Sequence, residues 1–183
     1  SRKLKKIYRK NNGGVGAAVK DGYRFSLKDK NYLTVRIDGD GQMDLKLIKN
    51  FIDPIINNQA DFTKGNRFMD LTFLKKMPPM RIIGNILFSI IGNIITKKIS
   101  IFDFLNGYTS IKNITLKKII KTNLDNDYYF DTILIYQLVK LQTKILDIKM
   151  KAKYENEKSN INILTTGFSF LLKNISFFLG IKK

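Results

Sequence analysis

Two aspartates and a glutamine alternate with glycine in Asp38-Gly39-Asp40-Gly41-Gln42, directly after the run Tyr32-Leu33-Thr34-Val35-Arg36-Ile37. That run, rich in β-branched residues, reads as a buried strand. A strand ending in Asp-x-Asp places two carboxylates at the C-terminal edge of a sheet, where open α/β sheets bind ligands. Glycines at 39 and 41 let the chain turn and a bulky ligand come close. Asp38, Asp40 and Gln42 offer oxygen ligands only. They form an incomplete shell for a hard cation, which substrate phosphates would complete. The plainer reading is an acidic turn, with Asp44 capping the helix that follows. An EF-hand is excluded, because no bidentate Glu follows at the required spacing.

The 183 residues contain no His and no Cys. A Ser-His-Asp triad, a thiolate zinc site and a Cys nucleophile are therefore excluded. A metal here has to be held by oxygen, which favours Mg²⁺ or Mn²⁺. Acid–base work falls to Asp, Glu, Lys or Tyr. The net charge of +18 points to an anionic partner: nucleic acid, a phosphorylated small molecule or an anionic membrane. The aromatic–basic elements of RNA-recognition modules are missing, which argues against nucleic acid. Only six of the 33 basic residues are Arg, two of them Arg67 and Arg81. In so Lys-rich a chain, Arg at those positions suggests a need for bidentate contact with phosphate.

The elements that must position these residues follow from the pattern. Asn11-Asn12-Gly13-Gly14-Val15-Gly16 is a glycine-rich turn into a helix over 15–28. Such a turn can aim backbone amides at a phosphate, or it can let helix and sheet pack closely. It is not a Walker A loop, since no Gly-Lys-Ser/Thr follows. A helix is expected over 45–57, kinked or broken at Pro54, and a short strand over 60–64. Further helices are expected over 82–96 and 127–141, a strand over 144–154 and a last helix over 163–181. The alternation of helix and strand argues for an α/β domain with a largely parallel sheet.

Taken together, these segments resemble family 2 glycosyltransferases, and among them the polyprenyl-phosphate mannosyl- and glucosyltransferase branch. The resemblance rests on Asn12-x-Gly14-x-Gly16-x-Ala18 with Gly22, and on Asp38-Gly39-Asp40-Gly41-Gln42-Met43-Asp44 followed by Ile55-Ile56. It continues through Gly65-Asn66-Arg67-Phe68, Met77-Pro78 with Arg81, Asp103-x-x-Asn106-Gly107-Tyr108, and Tyr154-x-x-Glu157-Lys158-Ser159. These run in order over about residues 10 to 160. The resemblance implies a GT-A fold, a Rossmann-like α/β/α sandwich that uses a divalent cation to hold a nucleotide-sugar diphosphate. The family's opening strand and its Asp-Asp-Gly-Ser element find no match, so a truncated front is expected. The expected division is a catalytic domain over 1–160 and an amphipathic helix over 161–183.

The resemblance also implies roles. Asp40 and Gln42 match the direct metal ligands, and Asp38 lies near metal and ribose. Asn12, Gly14 and Gly16 shape the donor side; Arg67 and Arg81 take donor phosphate. Asp103, Asp127 and Asp131 are candidates for a general base, although Asp127 and Asp131 also read as ordinary helix N-terminal acids. A sugar hydroxyl needs such a base, whereas a polyprenyl phosphate is already an anionic nucleophile. Lys153, Lys158 and Ser159 lie where related enzymes hold the acceptor phosphate.

The pairs Ile82/Ile83, Ile86/Leu87, Ile90/Ile91 and Ile94/Ile95 recur every four residues, with Lys75, Lys76, Lys97 and Lys98 as flanks. This is either a core helix or a shallow insertion at a bilayer surface. The expectation is the bilayer, with the 163–181 helix beside it. The function expected is an inverting transfer of a hexose from a nucleotide sugar to polyprenyl phosphate, at the cytoplasmic face of a membrane. The alternative acceptor is a hydroxyl of a surface polysaccharide or lipid-linked saccharide, and the alternative of another class is a basic nucleic-acid-binding protein.

Overall fold

The computed structural model describes residues 4–70, 72, 74, 77–97, 101–151, 170, 172–174 and 176–177, apart from the Arg81 side chain. Lys153, Lys158 and Ser159, expected at an acceptor phosphate, lie outside the described residues, as does the side chain of Arg81.

The elements run α1 (Val15–Ser26), β1 (Leu33–Arg36), α2 (Ile48–Ile56), β2 (Phe62–Asn66), α3 (Pro79–Thr96), β3 (Thr109–Lys112), α4 (Asn113–Ile119), α5 (Phe130–Lys140) and β4 (Ile145–Lys149). Short 3₁₀ turns cover Leu45–Leu47 and Arg67–Met69. Asp44 caps the first of these by accepting from the Lys46 N–H at 3.0 Å. Pro54 does not break α2, which continues to Ile56.

The sheet order is β1-β3-β2-β4. β2 and β4 pair in parallel, and β3 runs antiparallel to both β1 and β2. Three strands thus share one direction and β3 is reversed between them. Reversal has a consequence for function. Thr109, the first residue of β3, pairs with Arg36, the last of β1, and also with Lys64 near the end of β2. The loop that enters β3 therefore meets the ends of β1 and β2 at one edge of the sheet.

Alternation along the strands feeds two apolar clusters, one on each face. Phe62 and Ile111 pack with Leu116, Ile119, Phe130, Leu134 and Leu138 from α4 and α5. On the other face Phe51, Tyr108 and Met150 pack with Val35 and Ile148. The Phe51 and Tyr108 rings stack at 3.9 Å.

Helix α3 is turned inside out. Its uncharged polar side faces the protein: Asn85 and Ser89 are buried, and a side chain at Gly92 would run into the Phe104 ring. Met80, Ile83, Ile86, Leu87, Ile90 and Ile94 are exposed, Ile90 by 50%. Most of the helix expected over 163–181 lies outside the described residues; of those described, Leu172 is exposed while others pack inward. Phe170 and Asn174 are buried, with the Phe170 ring 4.4 Å from Phe88 and 4.6 Å from Tyr129. The Tyr136 hydroxyl donates to the Asn174 side chain, which ties this segment to α5.

Candidate active site

The Asp38–Asp44 turn leaves β1 at the edge just described. Its tip, residues 39–41, is exposed, while Asp38 and residues 42–44 are half-buried; the Asp38 N–H lies 3.4 Å from Met43 Sδ, and Asp40 Oδ1 accepts from the Gln42 N–H at 3.0 Å. Gly41 has φ 74°, a left-handed conformation that favours glycine. Tyr108 donates its hydroxyl to the Asp44 carbonyl at 3.3 Å, fixing the far end of the turn.

Around this turn the fold gathers three further segments. Gly107 is so close that a β-carbon there would stand 2.2 Å from Asp38 Oδ2 and 2.8 Å from Arg36 Nη2. Asp131, in the first turn of α5, reaches back to the same guanidinium, accepting from Arg36 Nη1 at 2.5 Å. Arg36 Nε donates to Asp38 Oδ1 at 3.1 Å. Burial pushes the Asp131 carboxyl above the ordinary range, against the opposing pull of Arg36. Asp131 is thus more than a helix N-terminal acid: its side chain is drawn inward, opposite the carboxylate turn.

Asn12 Oδ1 accepts from the Gly14 N–H at 3.0 Å, and Gly14 itself has φ 87°. A β-carbon on Gly14 would meet the Asn126 carbonyl at 2.4 Å and Asp127 Oδ1 at 2.9 Å; one on Gly16 would meet the Asp125 carbonyl and Phe130. The glycine element therefore packs against residues 125–130, the segment that delivers Asp131 to the site. Its effect on the site is by this close packing.

Asp103 and Arg67 form a different kind of centre. Asp103 is fully buried, with a left-handed backbone, φ 56°. Arg67 donates to its Oδ2 from Nε at 2.7 Å and from the backbone N–H at 3.0 Å, and to its Oδ1 from Nη2 at 2.5 Å. Asn106 Nδ2 adds a bond at 3.0 Å, and Asp103 donates its own N–H to Ser89 Oγ at 3.1 Å. Burial alone would raise the Asp103 carboxyl, but the Arg67 charge and bonds reverse this and hold it below the ordinary range. A carboxylate so buried, saturated and acidic is no proton acceptor for a substrate, so Asp103 anchors the loop. The bidentate fork of Arg67, expected on a donor phosphate, is engaged with Asp103.

Beside them, Lys64 is buried against Asp147 at 3.1 Å and also donates to the carbonyls of Phe102 and Asp103. Asp147 accepts from Asn66 Nδ2 at 2.7 Å. This network locks the loop before β3 onto β2 and β4. Sequence reasoning passed over Arg36, Lys64 and Asp147. For Arg36 a signal was present: it is one of the six Arg, set inside a strand of otherwise apolar and β-branched character.

The turn fits a divalent cation in part. Asp40 is an exposed hard-oxygen donor, Asp38 is half-exposed with Oδ1 held by Arg36, and Gln42 adds a further oxygen. Among the described residues no group of three or more Asp, Glu, His or Cys could hold a metal ion. The chemistry of this donor set thus suits a cation shared with a phosphate-bearing ligand.

Crystal structures of glucosyl-3-phosphoglycerate synthase from Mycobacterium tuberculosis share this architecture. The complex with phosphoglyceric acid matches with a TM-score of 0.60 and 11% identity, over 93% of this chain and 56% of that one. The complex with Mn²⁺, uridine-diphosphate and phosphoglyceric acid gives 0.61 and 11%, over 93% and 55%. The chain has the GT-A fold. It spans little more than half the length of these GT-A proteins. Uncharacterized protein MJ1222 of Methanocaldococcus jannaschii is 28% identical over 165 residues, 90% of this chain and 68% of that protein. No model of a protein family matches the chain.

Proposed function

We propose that this chain is the catalytic part of an inverting glycosyltransferase of family 2, which moves a hexose from a nucleotide-diphosphate sugar to polyprenyl phosphate. The observation that carries this reading is the open Asp38–Asp44 turn at the strand-end edge of a GT-A sheet. Mg²⁺ or Mn²⁺ shared by Asp38, Asp40, Gln42 and the donor diphosphate would supply Lewis-acid stabilisation of the leaving group. An acceptor phosphate oxygen attacks the anomeric carbon, the bond from that carbon to the diphosphate breaks, and the nucleoside diphosphate leaves. Because the acceptor arrives ionised, no base is required.

The membrane part of the reading rests on α3. The Asp103 N–H bonds to Ser89 on its inner side, while its outer side presents a row of Ile, Leu and Met. No helix among the described residues is long and apolar enough to cross a membrane, and α3 suits shallow insertion. Lys97 at its end adds headgroup attraction, about 1 kcal/mol at low salt. The enzyme then works peripherally at the cytoplasmic face, on an acceptor that stays in the bilayer.

A second reading, transfer to a sugar hydroxyl, is favoured by one observation: the Asp131 carboxyl is raised by burial and faces the turn. Such an acceptor would give its proton to Asp131.

The test incubates the protein with a panel of radiolabelled nucleotide hexoses and Mn²⁺, with and without polyprenyl phosphate. Label passing into the organic phase supports the first reading, and label in a water-soluble saccharide supports the second. No transfer and no donor hydrolysis would overturn both. For the membrane, flotation with phosphatidylglycerol–phosphatidylcholine vesicles should recover the protein at low salt. Changing Ile86 and Ile90 together to Asp should release it more completely than salt does, with an unchanged circular dichroism spectrum. Protein that stays in the soluble fraction, or unfolding of the double variant, would make this face part of an interior.

A further inference from the structure

Arg36 is the group on which the edge of the sheet converges. Its side chain is 8% exposed, at the end of β1. One side of the guanidinium holds Asp38 and another holds Asp131, from α5. The Phe130 ring centre lies 5.8 Å away, and the Gly107 backbone closes over Nη2 and Asp38 Oδ2. Three separate segments are thus fastened by one cation, and one of the two carboxylates it holds belongs to the turn assigned to a divalent cation.

We propose that Arg36 is an internal counter-cation for this turn: it holds Asp38 when no metal is bound, so that a divalent cation has to compete with it. The inference rests on the glycosyltransferase reading of the Asp38–Gln42 turn. Asp131 sets the strength of the competition, because it neutralises part of the Arg36 charge and shares its donors. The site would then bind a bare cation weakly, and a cation arriving with a diphosphate far better. Such an arrangement favours loading of the site by the metal–donor complex over loading by metal alone.

The consequence that separates this from a merely structural role is a pair of opposite effects. Replacing Arg36 by Met frees Asp38, and affinity for bare Mn²⁺ should rise by about tenfold, the scale of one charge-assisted hydrogen bond. Asp131→Asn leaves Arg36 with Asp38 as its only carboxylate, and Mn²⁺ affinity should fall several-fold. A structural clasp would weaken Mn²⁺ binding in both variants. Arg36→Met leaves Asp131 buried without its partner and could unfold the protein. Arg36→Met combined with Asp131→Asn removes both buried charges, and it too should bind Mn²⁺ more tightly than the wild type.

The experiment titrates Mn²⁺ alone into the full chain and follows water-proton relaxation, with thermal unfolding as a check on folding. Opposite shifts in the two single variants, or tighter binding in the double variant, support the proposal. Weaker or unchanged binding in Arg36→Met and in the double variant overturns it, while loss of Mn²⁺ binding in Asp40→Asn leaves the site reading standing. If Asp40→Asn binds Mn²⁺ as the wild type does, the site reading fails, and the proposal with it.

Discussion

The turn at Asp38–Asp44 and the loop at Asp103–Tyr108 are built from the same residue types, yet they are opposites. Each follows an apolar segment, carries aspartate and glycine, and ends at the same edge of the sheet. Asp40 is exposed, and it accepts from the Gln42 N–H nearby. Asp103 is fully buried, with four donors on its carboxylate, three of them from Arg67. A carboxylate able to receive a ligand must be under-satisfied and wet, and one that holds a loop must be saturated and dry. Residue type does not distinguish them; the partner does. The two regions also meet, at Gly107, which follows the anchor and presses on Asp38.

The sharpest way to break this comparison is to remove the anchor. Asp103→Ala leaves Arg67 without its carboxylate in a buried place, and should cost about 3–5 kcal/mol of stability, as loss of one partner of a buried pair does. Urea unfolding measures it. A loss under about 1 kcal/mol would mean that Asp103 is no anchor and that the two carboxylates are alike after all.

The same pair predicts a pH dependence. The folded-state pKa of Asp103 lies below the ordinary value, which is about 3.9 in an unfolded chain. Its contribution to stability is therefore fully present above that unfolded value. It is lost as pH falls through the folded value. Wild type and Asp103→Asn should differ strongly in urea midpoint at neutral pH and converge in acid. A gap that stays constant down to the acid transition would contradict the assignment.

How much of this was legible beforehand differs between the regions. The carboxylate turn is visible because its chemistry is local: a strand, two Asp, two Gly and the Asp44 cap. The helices with a strong apolar period, such as α3, were legible too, as were β1, β2 and β4 within a few residues. Strand β3 was not, because Thr109-Ser110-Ile111-Lys112 has one apolar residue and no alternation; it is held by backbone pairing on both sides. Helix α4 was missed for its shortness, seven residues. Nothing local tells that Asp103 meets Arg67, 36 positions away, or that Arg36 meets Asp131, 95 positions away. Those pairings exist only once β3 is inserted between β1 and β2.

A smaller effect is expected where the two regions touch. Gly107→Ala puts a methyl group against Asp38 Oδ2 and Arg36 Nη2. Asp38 Oδ2 ends a half-exposed side chain that can move aside, whereas Arg36 is clasped, so the cost should be about 1–2 kcal/mol. Nucleotide-sugar binding should suffer more than stability does, since the atom displaced belongs to the turn. A variant with unchanged donor affinity would show that Asp38 does not need its present place.

The smallest change in stability, and the most telling, is expected for Asp40→Asn. The carboxylate is exposed and makes its bond to a nearby N–H, which an amide oxygen can also accept. Surface substitutions of this kind stay within about 0.5 kcal/mol. If Asp40 serves only to hold a cation against a diphosphate, unfolding by urea should be indistinguishable from wild type while Mn²⁺-dependent binding of nucleotide sugar is lost. Set beside Asp103→Ala, the pair gives a double dissociation: one aspartate whose loss affects the fold, another whose loss affects only the ligand. Were Asp40→Asn to lower stability by several kcal/mol, the turn would be a structural element like the loop beside it. Its openness would then say nothing about a ligand. Were it to leave both stability and donor binding intact, the cation would have to be held elsewhere on this edge.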